Sequence, residues 1–168
     1  EGIIDPLQNG IQLDPLLKLL ARPDLVKVMH AARQDMEIFA KLLDGVPPPN
    51  VFDTQIAALA LGLGDSISYD NLVQRILKRK IDKSSQFTDW TRRPLSDKQL
   101  TYAMGDVTHL RDVYLAMREE LDAKDRWSWA REEMIYLESA ELYDTDPANA
   151  WQRLKIRKPK KEYAAIVA

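Results

Sequence analysis

The chain reads as an α/β fold whose C-terminal half is rich in helix. Three observations carry that prediction. Short apolar runs at residues 25–29 and 51–52 are too brief for helices and end in histidine or aspartate. Capping residues punctuate the gaps between them. Beyond residue 68, apolar side chains recur at three- and four-residue intervals, the period of an amphipathic helix. Short strands joined by helices build a layered α/β unit rather than a bundle. Two or three strands are few for this many helices, so the fold needs strands that these residues do not show.

Taken in order, Ile3-Ile4 reads as the end of a strand stopped by Asp5-Pro6. Asp14-Pro15 is a helix start, with a capping side chain followed by proline in the first turn. Leu16, Leu17, Leu19 and Leu20 supply its buried face, and Pro23 ends it. Leu25 to Met29 fits a buried strand that passes directly into a helix of about 14 residues carrying Ile38, Phe39, Leu42 and Leu43. Gly45 and the prolines at 47–49 form a stiff loop. Val51-Phe52 is a further short strand, and Asp53-Thr54 can cap the apolar helix Gln55–Leu61.

After Gly62 and Gly64, Ser68 opens a helix with Leu72, Val73, Ile76 and Leu77 inward. Residues 81–94 are irregular and polar. Ser96 with Gln99 three residues later matches a capping box. One long helix follows it, with Leu100, Ala103, Val107, Leu110, Tyr114, Met117 and Leu121 on a single stripe. Another runs from Trp127 to Leu137, and a last one starts at Asp146-Pro147 ahead of the basic segment Arg153–Lys161. Residues 1–145 read as one domain, and 146–168 as a linker leading into a second, helical unit.

Composition narrows the function. At 168 residues with 45% hydrophobic content, the chain can bury a sizeable core. No apolar run approaches the roughly 18 residues of a membrane-spanning helix. The absence of cysteine removes disulfides, zinc–thiolate sites and thiol nucleophiles, and fits a reducing compartment such as the cytoplasm. With two histidines, His30 and His109, a histidine-rich metal site is disfavoured. A net charge of −2 says little about partners, because local patches matter more than totals.

Three side chains stand out. Tyr102 and Asp106 are four residues apart on a predicted helix and share a face. A carboxylate beside a phenol can hold a metal ion and orient an attacking water. Asp35 shares a helical stripe with Ile38, Phe39 and Leu42, where a carboxylate is costly to bury unless paired or metal-bound. Spacing alone leaves other readings open: a first-turn aspartate favoured by the helix dipole, or an ion pair with Arg33 or Arg111. Trp90 with Arg92 and Arg93 could stack on a base and hold phosphate, or the tryptophan could only pin its loop. The cations of 153–161 could touch nucleic acid or be a solvated linker.

The order of these pieces resembles ribonuclease D, within the DEDD superfamily of 3′–5′ exonucleases. The resemblance rests on Lys27 to Asp35 with Glu37-Ile38-Phe39, Val51 to Gln55, and Asp82-Lys83-Ser84-Ser85. It continues through Thr88-Asp89-Trp90, Arg93-Pro94-Leu95-Ser96, and Tyr102-Ala103 running to Asp106-Val107. In that family Asp35 falls on the aspartate of the second exonuclease motif, and Tyr102 and Asp106 on the third, which marks the tyrosine-bearing subgroup. The resemblance implies a ribonuclease H-like 3′–5′ exonuclease fold and two divalent ions, Mg²⁺ or Mn²⁺, held in part by Asp35 and Asp106. It also implies release of nucleoside 5′-monophosphates from RNA with a free 3′ end, as in maturation of tRNA precursors. His30, Gln34, Lys83, Trp90 and Arg93 are the residues it places nearest the nucleic acid.

The chain departs from the pattern in one respect. The family's first motif, Asp-x-Glu on the first strand, would precede Ile3-Ile4, and no Asp-x-Glu occurs ahead of Asp35. Residues 158–168 resemble the first helix of an HRDC-type nucleic-acid-binding domain. The expectation is an interior segment of a longer enzyme, with N-terminal strands lacking, that would fold poorly when made alone.

Overall fold

The computed structural model describes residues 2–82, 85 and 87–143. The expected last helix, the basic segment and the start of a second helical unit lie outside the described residues. So does Lys83.

Two strands, β1 (Lys27–Met29) and β2 (Val51–Asp53), pair in parallel with Lys27 opposite Val51 and Met29 opposite Asp53. Parallel neighbours need a crossover, and α2 (Arg33–Leu42) supplies it. A short α1 (Asp14–Leu20) precedes β1. After β2 come α3 (Thr54–Ala60), α4 (Tyr69–Leu77), α5 (Asp97–Thr108), α6 (Leu110–Ala123) and α7 (Trp127–Leu137), then a 3₁₀ turn at Ala140–Leu142.

All three residues of β2 are buried, and alternation along the strand sends neighbours to opposite faces. Phe52 joins a core with Ala57, Ala58 and Leu61, Leu72 and Val73 of α4, Val113, Met117 and Leu121 of α6, and Ala130 and Met134 of α7. Its ring meets Tyr114 edge-on and stacks on Trp127. Val51 joins a second cluster with Ala32, Met36, Ala40, Leu137 and Tyr143. The two-sided burial explains why both Val51 and Phe52 are apolar.

Several expectations shift. Ile3 and Ile4 form no strand; they are irregular and 39% and 49% exposed, with no strand beside them among the described residues. Asp14 lies inside α1 and makes no side-chain cap. The long helix expected after Ser96 is broken at His109 into α5 and α6. The Thr108 hydroxyl donates to Met104 O at 2.6 Å, a local bond that competes with the helix ladder. The capping box is as expected: Ser96 Oγ accepts from Gln99 N, and Gln99 Oε1 accepts from Ser96 N at 3.0 Å. No helix among the described residues is long and apolar enough to cross a membrane.

Candidate active site

A saturated carboxylate fixes the frame of the site. Asp53 ends β2 with extended dihedrals and caps α3, its Oδ1 accepting from Gln55 N at 2.7 Å and Ile56 N at 3.4 Å. The same side chain accepts from Ala31 N at 3.1 Å and Ala32 N at 2.7 Å. Ala31 has φ +54°, a left-handed conformation uncommon for alanine, and this turn directs the two amides at Asp53. The four bonds join the β1–α2 turn to the β2–α3 turn. They set where α2 begins, and Asp35 lies in its first turn.

Asp35 and Asp106 line one cleft of about 450 Å³, walled by Val28, Met29 and His30 of the β1 end, Phe39 of α2, Tyr69 of α4, and Val107 and Leu110. Helices α2 and α5 thus bring together the two acids that the sequence singles out. Burial against the cleft walls pushes both carboxyls above the usual range, and the nearby charge of Asp53 adds to the effect on Asp35. Among the described residues neither acid forms a hydrogen bond or an ion pair, with Arg33 and Arg111 included. The salt-bridge reading of Asp35 is set aside on that observation.

His30 offers these acids no countercharge. The Thr54 hydroxyl donates to Met29 O at 3.0 Å, and its oxygen lies 2.9 Å from His30 Nδ1. Burial pushes the imidazole pKa below its ordinary value and keeps the ring neutral near pH 7. His109 sits at the α5–α6 junction near Arg79 and is not among the side chains lining the cleft.

Tyr102 lies one turn before Asp106 on α5, but it is not among the side chains lining the cleft; its ring packs on Trp90 at 5.8 Å and 52°. Trp90 thus packs against α5. Arg93 spends its guanidinium on the protein: Nε and Nη2 reach Asp5, and Nη1 reaches the carbonyls of Trp90 and Arg92. Gln34 is exposed beside Asp35 on α2.

Tyr69 is the cleft residue that sequence reasoning passed over. Its hydroxyl is buried with no hydrogen-bond partner among the described residues, and its ring lies 5.6 Å from His30. Burial, with the charge of Asp106, pushes its pKa up to about 12, so it stays a neutral donor. A signal existed: Tyr69 shares the inward stripe of Leu72, Val73 and Ile76, which puts a phenol on an apolar face.

Two partly desolvated carboxylates without a cation partner among the described residues are a donor set suited to a hard divalent ion, which takes oxygen ligands. They supply part of such a set. Among the described residues no three acidic or imidazole groups converge closely enough to hold a metal by themselves.

Comparison with known proteins agrees with this geometry. A family model for a 3′–5′ exonuclease matches residues 1–122. Over 164 residues the chain is 50% identical to ribonuclease D of Jannaschia sp., covering 98% of this chain and 42% of that protein. It thus spans about two fifths of the length of the curated ribonuclease D relatives it matches. Escherichia coli RNase D, an exoribonuclease involved in structured RNA processing, superposes with a TM-score of 0.77 at 29% identity, over 85% of this chain and 38% of that one. Brucella melitensis NrnC gives 0.69 at 27% identity over 86% and 69%, and structures of it hold Mg²⁺ or pGG. The helix-rich layer around a small parallel sheet is the fold these exonucleases share, and the chain belongs to the 3′–5′ exonuclease family.

Proposed function

We propose that the protein removes nucleoside 5′-monophosphates from the 3′ ends of RNA, with Asp35 and Asp106 helping to hold two divalent ions, Mg²⁺ or Mn²⁺. The observation that carries the reading is the pair of uncompensated carboxylates converging from α2 and α5 on one cleft. Bound ions of this kind supply Lewis-acid stabilisation to the attacking and leaving oxygens of a phosphodiester. The chain's own part is positional. Asp35 and Asp106 present oxygen ligands, and Tyr102, one turn from Asp106, orients the attacking water. By the family resemblance, His30, Gln34, Lys83 and Trp90 are the residues that would contact the RNA. Precursors of tRNA in the cytoplasm are the substrate this reading takes.

The test is Asp106→Asn in the full-length protein. Turnover of a 3′-hydroxyl oligoribonucleotide should fall roughly a thousandfold or more, with RNA binding nearly unchanged. Undiminished activity would sink the assignment. One observation favours a second reading, an RNA-binding unit that holds metal weakly: the described residues offer the cleft two converging carboxylates rather than three. Calorimetric titration with Mn²⁺ separates the two, because tight binding of two ions per chain excludes the weaker site.

A further inference from the structure

Far from the cleft in sequence, the N-terminal segment is fastened to the loop that carries Trp90. Asp5 forms a two-point ion pair with Arg93, at 2.5 Å to Nε and 2.8 Å to Nη2, across 88 positions of chain. The side chains are 17% and 30% exposed, so solvent screens the pair less than an open surface bridge. Asp5 is also braced from below by Leu7 N, which donates to its Oδ1 at 3.2 Å. The fork geometry of arginine makes such a contact directional.

The remaining guanidinium nitrogen explains what that direction accomplishes. Arg93 Nη1 donates to Trp90 O at 2.8 Å and to Arg92 O at 2.9 Å. One residue earlier, Asp89 O accepts from Gln99 Nε2 at 3.1 Å, and Gln99 is the buried residue of α5. The consecutive carbonyls that flank the Trp90 Cα are thus held by different groups, one by α5 and one by Arg93. Between them the indole is set against the ring of Tyr102, three residues beyond Gln99 on the same helix.

We propose that the Asp5–Arg93 pair is a positioning device for the reaction: it holds Trp90 against Tyr102 and so sets the aim of the Tyr102 hydroxyl. Asp5 and Arg93 are positioning residues here and do not touch the substrate. The inference rests on the role assigned to Tyr102 above. It accounts for a guanidinium whose nitrogens are all engaged by Asp5 and by the carbonyls of Trp90 and Arg92.

The experiment uses the full-length protein with 5-fluorotryptophan, the Trp90 resonance being the one lost in Trp90→Phe. In Asp5→Asn that resonance should move in the same sense as in Tyr102→Leu, and kcat on an oligoribonucleotide should fall about tenfold with KM held within about twofold. Asp5→Glu, which keeps the charge, should restore most of the kcat. If Asp5→Asn loses its cooperative melt, Arg93→Lys is read in its place, since it keeps a cation but lacks the fork. An unmoved Trp90 resonance, or an unchanged kcat in the variant read, overturns the proposal. Failure of the parent reading looks different: the wild type itself would show no turnover, while the Trp90 resonance would still report on the pair.

Discussion

Asp53 is 2% exposed and accepts four backbone N–H bonds, whereas Asp35 and Asp106 share an open cleft and accept none among the described residues. The three side chains are chemically identical. Their surroundings give them opposite tasks. A carboxylate surrounded by amide donors is a structural anchor whose charge is already answered. One that is partly desolvated and has no protein partner favours binding a cation or a proton. The comparison shows how a fold can set acids apart by what it withholds from them.

Substitutions can break that contrast. The largest effect is the loss of turnover already expected for Asp106→Asn, and it should come without loss of stability, because removing an unanswered charge costs the fold nothing. Asp53→Ala should do the reverse. It strands four amides and uncouples the β1–α2 turn from α3, which should destabilise the protein by about 3 kcal/mol, read from urea unfolding. An Asp53→Ala protein as stable as the wild type would remove the distinction.

The effect of pH is smaller and has a definite sign. Asp35 and Asp106 take up protons at higher pH in the folded chain than in the unfolded one. As pH falls through their raised values toward 3.8, the folded state binds more protons and gains stability from these two groups. The wild type should therefore gain on the Asp35→Asn/Asp106→Asn double variant as pH falls, compared by thermal melts. Saturating Mn²⁺ should reverse the trend, since a cation favours the ionised acids. Smallest of all is Tyr69→Phe, which removes an unpartnered buried hydroxyl. Stability should hold or rise by up to about 1 kcal/mol. A loss would show that the hydroxyl has a partner in the protein.

What could be read from the sequence divides along the same line. The Asp53 cap and the Ser96–Gln99 box were legible because each is a contact within three residues, and the residue types name the contact. Asp53 reaching back to Ala31 and Ala32 was not legible, since it depends on a left-handed turn at an alanine. The break at His109 was hidden because the apolar stripe runs through it without a change of period and the dihedrals there stay close to helical. Asp35 and Asp106 were picked out as chemistry, but their meeting is a product of how α2 and α5 pack. The Asp5–Arg93 pair spans 88 positions and has no local signature at all.

The break between α5 and α6 has a mechanical meaning. Helix α6 is set into the core by Val113, Met117 and Leu121, each fully buried, while the buried residue of α5 is a glutamine held by hydrogen bonds. Stiffness is therefore distributed unevenly along what looks from its sequence like a single rod. The post set into the core is α6, and Tyr102 and Asp106 ride on the less deeply buried arm, α5. Small tilts of that arm can re-aim both groups together while the packed interior keeps its jigsaw fit.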